Sequence, residues 1–349
     1  MTRFHFLEGD EAWRLTAFYF GASLMSQSIN VLAFFRDVML TLNPKIRSAA
    51  TVELYEVDIA ILQQYFDSHY PQRPEVARPV QLSDLCATLI AGAAAWQVKR
   101  GRAPTTANRL IRHIGSIWRF AHENKSHGYV VSEPQKIHKH REAKRLPEAW
   151  STEEFQRIIA AACDLPGYVG GVPASVWWPA LLLTSYWTGC RITALMKLPT
   201  NCVDFSRGEI RVPAEIQKQF SDQGFELPAE VMQLLSRIDP VGRKLPTLFF
   251  DWPFDRTVRQ WRRLCEHYSK ILIKAGLPSD RRHKFHCIRR TTATYIASKR
   301  GIAEAQMFLG HSSVTTTKRY VDPRFMERPR VASVLPQIAV TENNLRIVG

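Results

Sequence analysis

The sequence predicts a mainly α chain of two domains, with a small antiparallel β-hairpin in the second, and three observations carry that expectation. At 349 residues and 40.0 kDa the chain exceeds the usual size of one domain. Apolar residues recur at helical spacing through most of it, and "GEIRVPAEIQKQFSDQGFELP" is the stretch that alternates instead. A polar, basic segment without helical period, from residue 124 to 150, separates two periodic parts.

Taken in order, residues 1–50 read as an N-terminal helical extension. There "VLAFFRDVMLTLNP", interrupted by Arg36 and Asp37 and stopped by Pro44, predicts a helix packed on its neighbour. Residues 51–125 read as a helical domain. Apolar pairs at 54/55, 61/62 and 65/66 keep a helical period until the prolines of "YPQRPEVARPV" break it. A further helix follows "RAPTTANRL", with Leu110, Ile114, Ile117, Trp118 and Ala121 on one stripe. Arg109, Arg112, His113, Ser116 and Arg119 lie off that stripe. A helix with one apolar and one basic face can lie in a DNA groove with its back on a core, and a merely solvated face is the alternative.

Residues 126–150 read as a basic linker, in which Lys136, Lys139, Arg141, Lys144 and Arg145 are candidate phosphate contacts. His138 and His140 have no accompanying ligand cluster, so no metal site is expected. Ser151 and Glu154 form a capping box that opens the second domain, 151–326. "VWWPALLLTSYWTGCRITALMKL" predicts a buried helix interrupted near Gly189. The alternating stretch predicts a hairpin through Ile210 and Val212 that turns at "SDQG", and Pro228 starts the next helix. Helical segments resume after "LFFDWPFDR" and run to about Tyr320, leaving a tail, 327–349, with a short apolar run.

A hydrophobic share of 45% with 11% aromatics excludes a disordered chain. The 47 Lys and Arg against 32 Asp and Glu give a formal charge of +15, the electrostatic footprint of a polyanion binder. Six widely spaced cysteines read as reduced thiols. Glu8, Asp10 and Glu11 stand where a signal peptide needs an apolar run, and no stretch reaches membrane-span length. A soluble, cytoplasmic, nucleoid-associated protein is expected.

Polar residues that a helical core has little reason to hold occur at separate places. They are Arg191 after "TGC", Lys218 near the hairpin tip, His286 and Arg289 three apart on one helical face, His311 after a helix-ending glycine, and Tyr320 nine residues later. Two guanidiniums can bind non-bridging phosphate oxygens and stabilise a pentavalent transition state. Tyrosine can act as a covalent nucleophile, histidine can move a proton or hydrogen-bond a phosphoryl oxygen, and lysine can protonate a departing alkoxide. The set describes strand transfer through a phosphotyrosine with no metal or other cofactor.

The boxes "TGCRITALMKL", "HCIRRTTATYIA" and "LGHSSVTTTKRYVDP" resemble, in order, the signatures of the tyrosine recombinase (phage integrase) family. "TTANRLIRHIGSIWRFAHE" resembles that family's N-terminal DNA-clamping domain. The resemblance implies a two-domain DNA clamp, with a helical SAM-like core-binding domain beside the catalytic one. It also implies duplex DNA as partner, a homotetramer on synapsed sites, and possible accessory DNA-bending proteins. By the same resemblance Arg191 and Arg289 hold the scissile phosphate, and His311 hydrogen-bonds it. His286 assists proton transfer, Lys218 is the general acid for the 5′-oxygen, and Tyr320 attacks to leave a 3′-phosphotyrosyl bond. Ala194 stands where the family often has a carboxylate, and Lys197 and Arg211 are fallback candidates for the lysine. A type IB topoisomerase-like relaxing enzyme and a non-cutting DNA-binding accessory protein are the alternatives.

Overall fold

The computed structural model describes residues 29–44, 46, 48–70, 78–143, 145–250 and 258–326. Lys144, most of the N-terminal extension and the tail lie outside them. The chain divides into two compact units, Met1–Lys144 and Arg145–Gly349. Both are mainly helical, and the second also carries small antiparallel sheets.

Among the described residues of the first unit, four longer helical segments stand out. α1 is a continuous run made of Val31–Ala33, a wide π-type stretch Phe34–Met39 and Leu40–Leu42. α2 is Ala49–His69, α3 Ala87–Lys99 and α4 Pro104–Glu123. Pro104 suits a first helical position, whose N–H has no partner in the helix. Every member of the predicted α4 stripe is buried. Phe34, Phe35 and Met39 of α1 are fully buried in the same core, so this stretch belongs to the first unit's interior instead of extending from it. Arg36, which looked like an interruption, faces outward and pairs with Glu56 at 2.7 Å.

Residues 130–143 run as a strap on this unit. Ser132 O accepts Trp118 Nε1–H at 2.8 Å, and Ser132 Oγ donates to Leu85 O at 2.7 Å. Asn108 is 3% exposed and binds His140 twice, donating to its carbonyl at 2.9 Å and accepting from its N–H at 2.8 Å. A side-chain amide here takes the place of a strand partner, satisfying both polar groups of one residue. Lys139 and Arg141 remain exposed.

In the second unit α5, Thr152–Cys163, opens with the predicted capping box. Ser151 Oγ accepts from Glu154 N at 3.1 Å, and Glu154 Oε2 accepts from Ser151 N at 2.8 Å. A two-stranded ribbon, β1 (Tyr168–Val169) and β2 (Val172–Pro173), leads into α6, Ala174–Thr188. α6 is apolar on nearly all sides and forms the central helix of the core, as such a pattern requires. It stops at Gly189, φ +57°, where an added Cβ would lie 3.1 Å from Leu309 Cδ2. α7, Ile192–Leu195, follows directly.

The sheet has three strands in the order β3 (Val203–Asp204), β4 (Glu209–Val212), β5 (Gln223–Glu226), with Ile210 opposite Phe225 and Val212 opposite Gln223. The expected turn at "SDQG" is corrected. Pro213 follows β4, the connection spans 213–222, and Gln223 and Gly224 already belong to β5. Gln217, buried in this loop, donates to Ser221 O and Val212 O and so replaces ladder bonds with side-chain ones. The remaining α-helices among the described residues are α8 (Ala229–Ile238), α9 (Val258–Lys274), α10 (His286–Arg300), α11 (Ile302–Leu309) and α12 (Val314–Lys318).

Candidate active site

Three elements place the polar residues. His286 opens α10, and Arg289 lies one turn on with its side chain driven into the core at 2% exposure. α11 ends at Gly310, φ +64°, which turns the chain so that His311 is buried beside Arg289. Ser313 caps α12 by accepting from Thr316 N, and Tyr320 sits in the turn just past that helix, its N–H donating to Thr317 O at 2.8 Å.

Arg289 is held by acceptors that carry no charge. Nη1 donates to Gly189 O, and Nη2 donates to Leu309 O at 2.9 Å and meets His311 Nε2 at 3.0 Å. A guanidinium has only donors, so His311 Nε2 must accept and Nδ1 carries the proton toward Thr317 Oγ1, 3.0 Å away. Burial, then the charges of Arg289 and Arg191, lower His311 to about 4. His286 keeps an exposed edge. The protein packed beneath it and then the charges of Arg290, Arg289 and Arg191 lower it to about 4 as well. Both imidazoles are therefore neutral at pH 7. Burial, then the charge of Arg191, pushes Arg289 below the ordinary guanidinium range, though it stays protonated at neutral pH.

Tyr320 lies among them, its ring centroid 4.8 Å from that of His286 and 4.9 Å from that of His311, with Arg289 Cζ 5.5 Å from the ring centre. Beyond it the chain is pinned. Asp322 is fully buried, donates its N–H to Thr294 Oγ1 at 2.9 Å and accepts from Ala149 N at 2.9 Å. Arg191 precedes α7 and donates to Gln219 Oε1. Gln219 Nε2 in turn donates to Leu309 O, the carbonyl that Arg289 holds.

Arg191, His286, Arg289, His311 and Tyr320 thus converge through direct contacts or shared partners. Lys218 is not brought in. It is exposed in the 213–222 connection, while its neighbours Gln217 and Gln219 turn inward. Lys197 is exposed too, and Arg211 pairs with Asp222 at 2.5 Å. Gln219, Thr317 and Asp322 were missed by sequence reasoning. Their signal is weak because amides and hydroxyls in a polar loop or short helix read as surface.

The basic face of α4 is corrected in part. Asp58, fully buried on α2, accepts from Arg109 at 2.8 and 2.9 Å, and His113 Nδ1 lies 2.7 Å from its Oδ2. Tyr55 stacks on the His113 ring at 4.0 Å. Arg109 and His113 are therefore occupied in the fold, whereas Arg112, Arg119 and Arg145 are exposed. Among the described residues no group of three or more His, Cys, Asp or Glu is arranged to hold a metal ion, and no helix is long and apolar enough to cross a membrane.

Residues 149–327 match the profile described as the phage integrase family, just over half of the 349-residue chain. The chain belongs to the phage integrase family. The match begins at Ala149, which Asp322 holds, and encloses every residue of the convergent cluster. Among relatives in this family, the tyrosine recombinase XerD of Pseudomonas putida is 25% identical over 274 residues, covering 76% of this chain and 84% of the relative. Two solved structures share the fold. One is the XerH site-specific recombinase bound to a palindromic difH substrate in a post-cleavage complex, with TM-score 0.62, 16% identity and coverage of 81% of this chain and 78% of that one. The other is a lambda integrase tetramer bound to a Holliday junction, with TM-score 0.60, 16% identity and coverage of 92% and 88%.

Proposed function

We propose that the chain is a site-specific DNA recombinase or integrase that cuts and rejoins duplex DNA through a 3′-phosphotyrosyl intermediate, without metal or ATP. The observation that carries this reading is the phenol of Tyr320 set between two neutral imidazoles and beside a buried guanidinium that has no acidic partner in its contacts. A buried cation held by carbonyls, an imidazole and the Tyr320 side chain, none of them a carboxylate, is poised for an anion, and a phosphodiester supplies one.

In this reading Arg289 and Arg191 bind the non-bridging oxygens. Tyr320 Oη attacks phosphorus and passes its proton to His286. The P–O5′ bond breaks, and the 5′-oxygen takes a proton from Lys218. The phosphotyrosyl bond conserves the energy of the broken diester, so a second 5′-hydroxyl reverses the step. His311 turns from Arg289 toward the phosphate once the phosphate takes its place on the guanidinium. The lambda integrase tetramer supports a homotetramer on synapsed duplex sites as the working assembly, and Arg112, Arg119, Lys139, Arg141, Lys144 and Arg145 supply phosphate contacts that position without specifying sequence.

The test uses nicked duplexes tiled across the DNA flanking the chain's own gene, incubated in chelator with wild type and Tyr320→Phe. Wild type should give a denaturant-resistant adduct that maps to Tyr320, and Tyr320→Phe should bind equally and give none. Cleavage by Tyr320→Phe, or an adduct on another residue, would show the assignment to be wrong.

A further inference from the structure

We propose that Gln219 is the positioning residue that aims Arg191 at the scissile phosphate, an inference that rests on the strand-transfer reading above. Arg191 stands at the start of the four-residue α7, and Ala194 on that helix is apolar and buried, so its own element offers no carboxylate. The acceptor comes from the 213–222 connection instead, as Gln219 Oε1.

The amide of Gln219 has one orientation. Its Nε2 faces three oxygens, Gln217 Oε1 at 2.9 Å, Gln223 Oε1 at 3.2 Å and Leu309 O at 3.3 Å. Those oxygens are themselves fixed. Gln217 donates its Nε2 to Val212 O and Ser221 O, and Gln223 donates its Nε2 to Phe308 O at 3.0 Å. Flipping Gln219 would set an oxygen against three acceptors, so its Oε1 has to face Arg191.

Two consequences follow from the chemistry of an amide. A carboxylate at this place would orient the guanidinium and cancel its charge, whereas an amide oxygen orients it and leaves the positive charge for phosphate. Leu309 O, at the end of α11, accepts from both Gln219 and Arg289, so the two guanidiniums are registered against one fixed carbonyl. The geometry sets the spacing of the pair before DNA arrives.

The experiment uses the full chain and nicked duplexes of the cleaved sequence, with the scissile phosphate either native or replaced by a methylphosphonate that lacks one non-bridging charge. Gln219→Ala should slow adduct formation on native phosphate by on the order of 10–10²-fold, the scale of a misaimed group. On methylphosphonate, where less charge needs neutralising, it should match wild type. Asp222→Ala, which removes that connection's bonds to Arg211 and Ala214 N without touching Gln219 or Arg191, should follow wild type on both substrates. Equal loss by Gln219→Ala on both substrates, no loss on native phosphate, or the same selective loss in Asp222→Ala overturns the assignment alone. No adduct with wild type on native phosphate overturns the strand-transfer reading and this assignment with it.

Discussion

Partly buried Arg109 with His113 in the first unit and buried Arg289 with His311 in the second are two arginine–histidine pairs that differ in one respect. Arg109 and His113 close on Asp58, so the charge of that cluster is answered within the fold. Arg289 and His311 close on two carbonyls, the Thr317 hydroxyl and each other, with no carboxylate in these contacts, and the cluster keeps a positive charge away from water. A satisfied pair of this kind is structure, and an unanswered one is a receptor for an anion. Residue type alone cannot tell the two apart, because the answering group decides.

Exchanging each arginine for methionine separates them most sharply. Arg289→Met should lower adduct formation by roughly 10²–10³-fold, the cost of losing one transition-state donor. Its unfolding midpoint should fall little, since an uncompensated buried charge is removed along with its hydrogen bonds. Arg109→Met should do the reverse, leaving the Asp58 carboxylate buried without its guanidinium partner and destabilising the fold by roughly 3 kcal/mol, the low end for a broken buried pair. Denaturant melts and adduct assays on both variants decide, and a stability loss in Arg289→Met as large as in Arg109→Met removes the distinction.

Acid should act on the two clusters in different windows. His311 and His286 titrate near 6.5 when unfolded and about 4 when folded. The unfolded state therefore binds protons first, and stability falls as pH drops from about 6.5 to 4. Asp58 is lowered when folded, the hydrogen bonds and charges of His113 and Arg109 outweighing its desolvation. Its contribution holds above its unfolded value of 3.8 and is lost only below that. Melts between pH 7 and 4 should show a slope that His311→Asn flattens and Arg109→Met leaves in place. A slope untouched by His311→Asn would place its origin elsewhere.

The smallest effect belongs to the exposed cations. Arg112→Gln and Arg119→Gln should each weaken DNA binding on all sequences and reduce the salt slope by about 1. Arg109→Gln should leave that slope unchanged, because the Arg109 charge already faces Asp58. Titrations of binding against salt measure all three.

What could be read beforehand follows the range of the interactions. The α4 stripe and the Ser151–Glu154 box are local, and the structure repeats them residue for residue. Arg191, His286, Arg289, His311 and Tyr320 were legible because their chemistry is improbable together. Arg109 was misread because its partner lies 51 positions away. On α2, Asp58 falls among apolar neighbours, where a carboxylate is the one available hint. The 213–222 connection was misread because "SDQG" satisfies turn chemistry locally, while the side chain of Gln217 binds backbone carbonyls on both sides of the loop. With Gln217 and Gln219 inward, Lys218 between them is left facing out, an alternation set by those two contacts.

Asp322 carries a consequence for the division of labour. Two residues past Tyr320 the chain is tied to Thr294 on α10 and to Ala149 at the head of the same unit. Under the strand-transfer function proposed above, a tyrosine on so short a leash serves the phosphate gripped by its own subunit and is not lent to a neighbour. Any coordination among copies in an assembly then has to come from timing and not from shared nucleophiles.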